Sequence, residues 1–256
     1  MLSDPFGLHN RFVWFDNFIE LFQDPLYLKS IVITLVFSAS TAFVSISGGL
    51  FLATLANRAL RAKAVIRTCL IWPYAVAPAI SGVLWLFLLH PSYGVVSLAI
   101  KRWFGVDWNP VLNGTDALVM VIMASAWKQI SYNFVFFMAG LQAIPHSLIE
   151  AAAMDGASPF RRFWAIVVPM LSPTLFFVTV MNIIFSFFET FGVIHTVTQG
   201  GPGGATNILV YKVYQDGFIG LNLGSSAAQS IVLMSLIIFI TVMQFKYVER
   251  RVQYTG

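Results

Sequence analysis

Five apolar blocks, at residues 31–57, 66–90, 117–142, 170–195 and 227–248, limit what this chain can fold into. Crossing a hydrocarbon core of ~30 Å takes about 20 apolar residues in a helix, and each block reaches that length. In lipid every backbone N–H and C=O must find a partner within the protein, which leaves helices or closed barrels as spanning structures. A barrel would show segments of about 10 residues alternating in polarity, and these blocks do not alternate. The expected fold is therefore all-α, a polytopic membrane helical bundle with about five spans. Composition agrees: 58% of residues are hydrophobic and 10% charged, against about 25% charged in an ordinary soluble domain. Cys69 is the lone cysteine, so no internal disulfide can form.

Glycines and prolines inside the blocks (Gly48, Gly49, Pro73, Pro78, Gly82) are tolerated because neighbouring helices satisfy the freed backbone groups and small residues allow close approach. The charges between blocks set the topology. Arg58, Arg61, Lys63, Arg67, Arg161, Arg162, Lys246, Arg250 and Arg251 oppose Glu150, Asp155 and Glu249 on one side, a balance of +6. On the other side Arg11, Lys29, Lys101, Arg102 and Lys212 oppose Asp4, Asp16, Glu20, Asp24, Asp107, Asp116 and Asp216, a balance of −2. Positive loops face the cytoplasm. This places the tail 249–256 inside, residues 1–30 outside, and a membrane domain at 31–248 between them. The basic residues sit beside apolar blocks, so lipid topology accounts for them and nucleic-acid binding does not. Residues 1–30 lack the apolar core of a signal peptide. Their external placement leads us to expect a further helix upstream and six spans in the native protein, with both termini inside.

Between the third and fourth blocks, residues 145–169 are polar and broken by turns. Ser147-Leu-Ile-Glu150 fits a capping box, giving a helix over Leu148 to Met154 that Asp155-Gly156 ends, with Gly156 left-handed. Ser158-Pro159 starts a second helix, serine as N-cap and proline in the first turn. Pro169 and Pro173 separate it from the fourth span. The product is a compact helix–turn–helix with Ala151 to Ala153 as a close-packing face.

The stretch Glu150-Ala-Ala-Ala-Met-Asp-Gly156, nine further residues and Ile166-Val-Val-Pro169 resembles the signature of ABC importer permease subunits: E-A-A, three residues, G, nine residues, I-x-L-P. Glu150, Ala151, Ala152, Gly156, Ile166 and Pro169 match, and Val168 replaces leucine. The resemblance implies a cytoplasmic coupling loop that docks on an ATPase, with Glu150 in contact, Asp155 beside it and Gly156 at the turn. It implies as partners a homologous second permease subunit, a cytoplasmic ATPase dimer and a periplasmic or lipid-anchored substrate-binding protein, all at the bacterial cytoplasmic (inner) membrane. No cofactor is expected on this chain, ATP and Mg being used by the ATPase. The resemblance covers nearly the whole chain. Asp4-Pro-Phe-Gly7, Trp72 to Pro78, Trp127 to Phe134, Leu141 to Pro145 and Ser226 to Ser230 are similar to permeases of sn-glycerol-3-phosphate importers. Gly200-Gly-Pro202 with Thr206 is similar to carbohydrate-type permeases generally, so a neutral sugar or oligosaccharide stays open as substrate.

Polar residues at membrane depth are candidates for the pathway. Lys128 falls near the middle of the third block, where a cation costs around 3 kcal/mol on insertion scales and is usually functional. Its ammonium could answer a phosphate, with Gln129, Tyr132 and Asn133 nearby, or it could pair with Glu189 or snorkel. Glu189 could be a gate residue or a partner for Lys128 or Lys212. Asn182 and Gln229 read as interhelical contacts. His9, His90, His146 and His195 lack metal-ligand spacing and read as interfacial or loop residues, and Gly200 to Gly204 is a turn without the G-K-[ST] of a P-loop. No nucleophile–base pair supports a membrane enzyme. A secondary transporter or channel would leave the loop at 145–169 without a role.

Overall fold

The computed structural model describes residues 13–58 and 63–248. Asp4, His9, Arg11, Arg61, Glu249, Arg250 and Arg251 lie outside the described residues, as do the tail 249–256 and the first part of the predicted external segment. The described chain is helical, in this order: α1 Asp16–Gln23, α2 Pro25–Arg58, α3 Lys63–Ala75, α4 Pro78–Leu89, α5 Val95–Phe104, α6 Gly114–Ala143, α7 His146–Met154 and α8 Pro159–Arg162. A π-helical turn Phe163–Val167 leads to α9 Val168–Met170, α10 Ser172–Phe188, α11 Phe191–Val197 and α12 Leu209–Tyr214. A second π turn Gln215–Ile219, then α13 Leu223–Met243 and a third π turn Gln244–Val248 complete it.

Among the described residues, Pro25–Asn57 and Leu223–Lys246 are each long and apolar enough to cross a membrane alone, and three bent helix pairs raise the number to five. The block at 66–90 is not one helix, as expected, but α3 and α4. Ala77 is extended (φ −61°, ψ 143°) ahead of Pro78, because a residue before proline is pushed out of the helical region. The block at 170–195 is also divided. It follows a 68° bend before Ser172 and stops at Phe188, with α11 resuming at Phe191.

The chain forms two compact units. One comprises the chain up to Thr41, Ala77–Ser125 and Ile184–Phe239. Its core gathers Ile33 and Phe37 of α2, Val121 and Ala124 of α6, Val193 and Ile194 of α11, and Ile208 and Tyr211 beside and within α12. Helix α4 lies close against α11: a Cβ on Gly82 would stand 2.6 Å from the Thr196 hydroxyl. Lipid tails are as apolar as leucine, so such close approach and buried hydrogen bonds, more than burial itself, hold membrane helices together.

The other unit comprises Ala42–Val76, Ala126–Ile183 and the chain from Ile240. Phe134, Phe137, Met138 and Leu141 of α6 pack with Ala53 and Ala56 of α2, Leu171 and Val178. A buried polar clamp joins three helices here. Asn182 Nδ2 donates to Asn133 Oδ1 at 2.7 Å, and the Ser45 hydroxyl donates to Asn182 Oδ1 at 2.6 Å. Gly49 admits the clamp, since a Cβ there would come within 2.6 Å of Asn133 Cβ.

Candidate functional site

The loop after α6 is built from local turn chemistry. The chain bends by 67° between α6 and α7, with Pro145 at the N-cap. The expected capping box does not form. Helix α7 already begins at His146, so Ser147 is helical and cannot turn back to cap, and no side-chain cap bond is present. The other end matches expectation in full. Gly156 takes φ +79°, its N–H donates to Ala153 O at 3.1 Å, and the Ala157 N–H donates to Ala152 O at 3.0 Å. That pair of bonds is a Schellman cap, which satisfies helix-end carbonyls at a left-handed residue. Ser158 then caps α8, accepting from Arg161 N at 3.3 Å, with Pro159 in the first turn.

At the far end of the loop, Pro169 has no N–H to offer the Ala165 carbonyl and its ring would crowd it. The preceding turn widens to π form, with Val168 N–H reaching back to Phe163 O. Ile166 and Pro169 are half-buried at the root of the loop, whereas Glu150, Ala151, Asp155 and Gly156 are exposed and Ala152 is half-buried. The most exposed apolar side chains beside them are Met154 at 89%, Phe160 at 75% and Trp164 at 55%. The sequence reading missed these three. The signal was partly available, because these apolar residues interrupt an otherwise polar loop; their exposure, which marks a surface that something covers, is seen only in the structure.

The polar residues of α6 separate into two faces by their i,i+4 spacing. Lys128 and Tyr132 are half-buried and lie along an aromatic row. Lys128 Nζ is 5.7 Å from the centroid of the Tyr74 ring, and Tyr132 lies 5.5 Å from Tyr74 and 4.7 Å from Phe136. Gln129 and Asn133 are on the buried face, at 3% and 0% exposure, and the carboxamide of Asn133 is engaged by Asn182. Asn133 therefore serves the helix clamp. Glu189, in the first unit, is exposed just past the end of α10.

The suggested pairing of Glu189 with Lys212 is not what the structure has. Lys212 is buried, 3.1 Å from Asp216 and 3.6 Å from Asp24, and Gln229 also donates to Asp216. Nearby, Gly200, Gly203 and Gly204 all have positive φ, and the Gly201–Pro202 bond is cis. Lys29 Nζ donates to Gly203 O at 3.0 Å, and the Thr206 hydroxyl lies 2.8 Å from Gly201 O. The expected simple turn is thus an organised loop over a cavity of about 450 Å³ that Lys29 and Lys212 help to line. His195, expected at an interface or in a loop, lies in α11 with its ring stacked 5.4 Å from Phe191. Among the described residues no group of three His, Cys, Asp or Glu could hold a metal ion.

Comparison with known proteins fits this architecture. Two relatives are both named sn-glycerol-3-phosphate transport system permease protein UgpA. The one from Rhizobium meliloti (strain 1021) is 55% identical over 98% of this chain and 86% of its own length. The one from Brucella abortus biovar 1 (strain 9-941) is 54% identical over 100% of this chain and 87% of its own. A crystal structure of a bacterial alginate ABC transporter, in complex with an alginate pentasaccharide-bound periplasmic protein, superposes with a TM-score of 0.83. It covers 95% of this chain and 85% of the matched one at 21% identity, a likeness of fold. The family model described as binding-protein-dependent transport system inner membrane component matches residues 45–254. The chain belongs to this family of transport-system inner membrane components.

Proposed function

We propose that this chain is the permease subunit of an ATP-driven ABC importer of sn-glycerol-3-phosphate, forming half of its translocation pathway. The observation that carries the substrate is identity of 55% across 98% of the chain to a permease named for that compound. The partners are a homologous second permease, a cytoplasmic ATPase dimer that uses ATP and Mg, and a periplasmic or lipid-anchored binding protein. Residues 1–30 are external, 31–248 form the permease domain and 249–256 a cytoplasmic tail.

The loop 145–169 is the coupling element of this reading. Its Schellman turn and proline-anchored root make it a rigid knob, and Glu150, Met154 and Phe160 present an acidic and apolar face to the ATPase. Ile166 and Pro169 pass the motion to α10. Closure of the ATPase around ATP then biases the two permeases between outward- and inward-open states, a shift between discrete arrangements. Lys128, held against the Tyr74 face by a cation–π contact, supplies a point positive charge for the phosphate. Tyr132 and the aromatic row flank the glycerol.

Uptake of radiolabelled sn-glycerol-3-phosphate by cells deleted for this subunit, with and without the gene restored, tests the reading. Restoration supports it. Restored uptake of a neutral oligosaccharide without glycerol phosphate would overturn the substrate assignment.

A further inference from the structure

Behind the loop 145–169 the second unit holds a cavity of about 460 Å³. Its polar wall is Thr54 and Asn57 from the end of α2, His146 at the start of α7, and Arg162 at the end of α8; Leu141 and Phe163 are among its apolar residues. Among the described residues that line the cavity, Arg162 is the permanent cation and none is acidic. Its Nε is buried with no hydrogen-bond partner among the described residues, while Nη1 reaches only to 3.5 Å from Ile149 O. A buried guanidinium N–H left without a partner forfeits its hydration and gains nothing in return, so it calls for an acceptor. Guanidinium forks match phosphate oxygens two at a time, and basic pockets between helices on the cytoplasmic side bind anionic head groups.

We propose that this cavity is a phosphate-binding site behind the coupling loop, filled by the head group of an anionic phospholipid or by free phosphate. The phosphate oxygens accept from Arg162 and from the Asn57 carboxamide, which also lines the cavity, with the apolar lining residues beside an acyl chain. A bound phosphate would tie α8 to the end of α2 and stiffen the loop's attachment to the membrane domain. The placement at the cytoplasmic face rests on the coupling-loop reading above.

The test uses the full chain in its assembled importer, reconstituted in nanodiscs and weighed by native mass spectrometry. One set contains phosphatidylethanolamine alone, a second adds phosphatidylglycerol, and a third adds inorganic phosphate to the first. Wild type should retain one phosphatidylglycerol, or one phosphate in the third set, whichever is the source. Arg162→Met should reduce that retention at least tenfold. Asn57→Leu, which leaves the Arg162–Ile149 contact in place, should reduce it severalfold and decides the matter if Arg162→Met fails to assemble. Retention of neither ligand by wild type, or equal retention in wild type and Asn57→Leu with Arg162→Met equal or unassembled, overturns the site. Failure of the coupling-loop reading would be seen separately, as wild-type chain that does not co-purify with an ATPase.

Discussion

Two glycine-turned loops of this chain solve opposite problems. In the loop at 145–169, Gly156 has φ +79° and open space around it, and Met154, Phe160 and Trp164 beside it are exposed. In the loop at 200–204 the backbone folds inward. Lys29 donates to Gly203 O, Thr206 N–H donates to Gly200 O, and Thr206 is buried beneath the turn. The first loop is closed by its own backbone and left with exposed surface, which suits the coupling role proposed for it. The second uses side chains from α2 and from beyond the loop to complete itself.

The largest expected effect breaks the first loop. Gly156→Val forces a β-branched residue into the left-handed region, where it is a genuine outlier, at a cost of at least 1–2 kcal/mol or so. The Schellman turn should be lost and transport with it, by tenfold or more, while the spans still insert. Uptake measured together with ATPase co-purification checks this. Normal values for both would remove the coupling role. Gly203→Asn in the other loop should be nearly silent, because asparagine tolerates φ of +57° and a Cβ there meets nothing within 4 Å.

Lys128 tests whether the membrane interior depends on charge in the way the loop depends on shape. Lys128→Met keeps the length and removes the donors, and should abolish uptake of glycerol phosphate at normal expression. Lys128→Arg should keep part of it, since a planar fork replaces a point ammonium. If Lys128→Met lowers expression and Lys128→Met/Glu189→Gln restores both expression and transport, the lysine is structural.

Removing the exposed apolar side chains should weaken docking without unfolding anything. Met154→Ser with Phe160→Ser is expected to weaken ATPase binding about tenfold, or ~1.4 kcal/mol. The Tm of the isolated permease should stay the same. A fall in Tm would mean that these residues pack within the chain, against their exposure of 89% and 75%.

What could be read from sequence follows the same division. The turn at Gly156 and the cap at Ser158 are decided by residues within five positions of each other, so their geometry was legible. Ser147 was misread because the 67° bend at Pro145 starts the helix at His146, two residues earlier than a free capping box would. Asn133 and Lys128 looked alike along the chain. Only the approach of Ser45 and Asn182, 137 residues apart, shows that Asn133 belongs to a clamp. Of the partners of Lys212, Asp216 stands four residues on and could have been read from the spacing, whereas Asp24 was hidden by its distance along the chain. The clamp should be worth little in total: Asn182→Leu is expected to lower stability by about 1 kcal/mol, the usual scale for polar contacts between membrane helices. A loss several times larger would make the clamp a principal support of the second unit.

Apart from the near-silent Gly203→Asn, the smallest effect belongs to a third glycine turn, between the other two in character. Helix α5 ends at Gly105, φ +67°, whose N–H donates to Lys101 O at 3.0 Å. An exposed ion pair bridges that turn, Lys101 Nζ to Asp107 at 2.9 Å. The hydrogen bond and then the charge of Lys101 hold the Asp107 carboxyl below its ordinary value, and the same two effects of Asp107 raise Lys101. Asp107 is therefore more acidic when folded, so its contribution is complete above the ordinary carboxylate range and is lost as pH falls through the depressed value. Lys101 is complete below the ordinary lysine value and is lost as pH rises through the elevated one. Between these limits the pair contributes a constant amount, which solvent screening keeps small. Thermal melts of wild type and Asp107→Asn should thus differ by a small, flat offset from about pH 6 to 8, converging in acid, where both carry a neutral side chain, and again in strong alkali, where Lys101 loses its charge. An offset that varied across neutral pH would assign the turn's stability to some other titrating group. It would also set this turn apart from one closed by its backbone and a single surface pair.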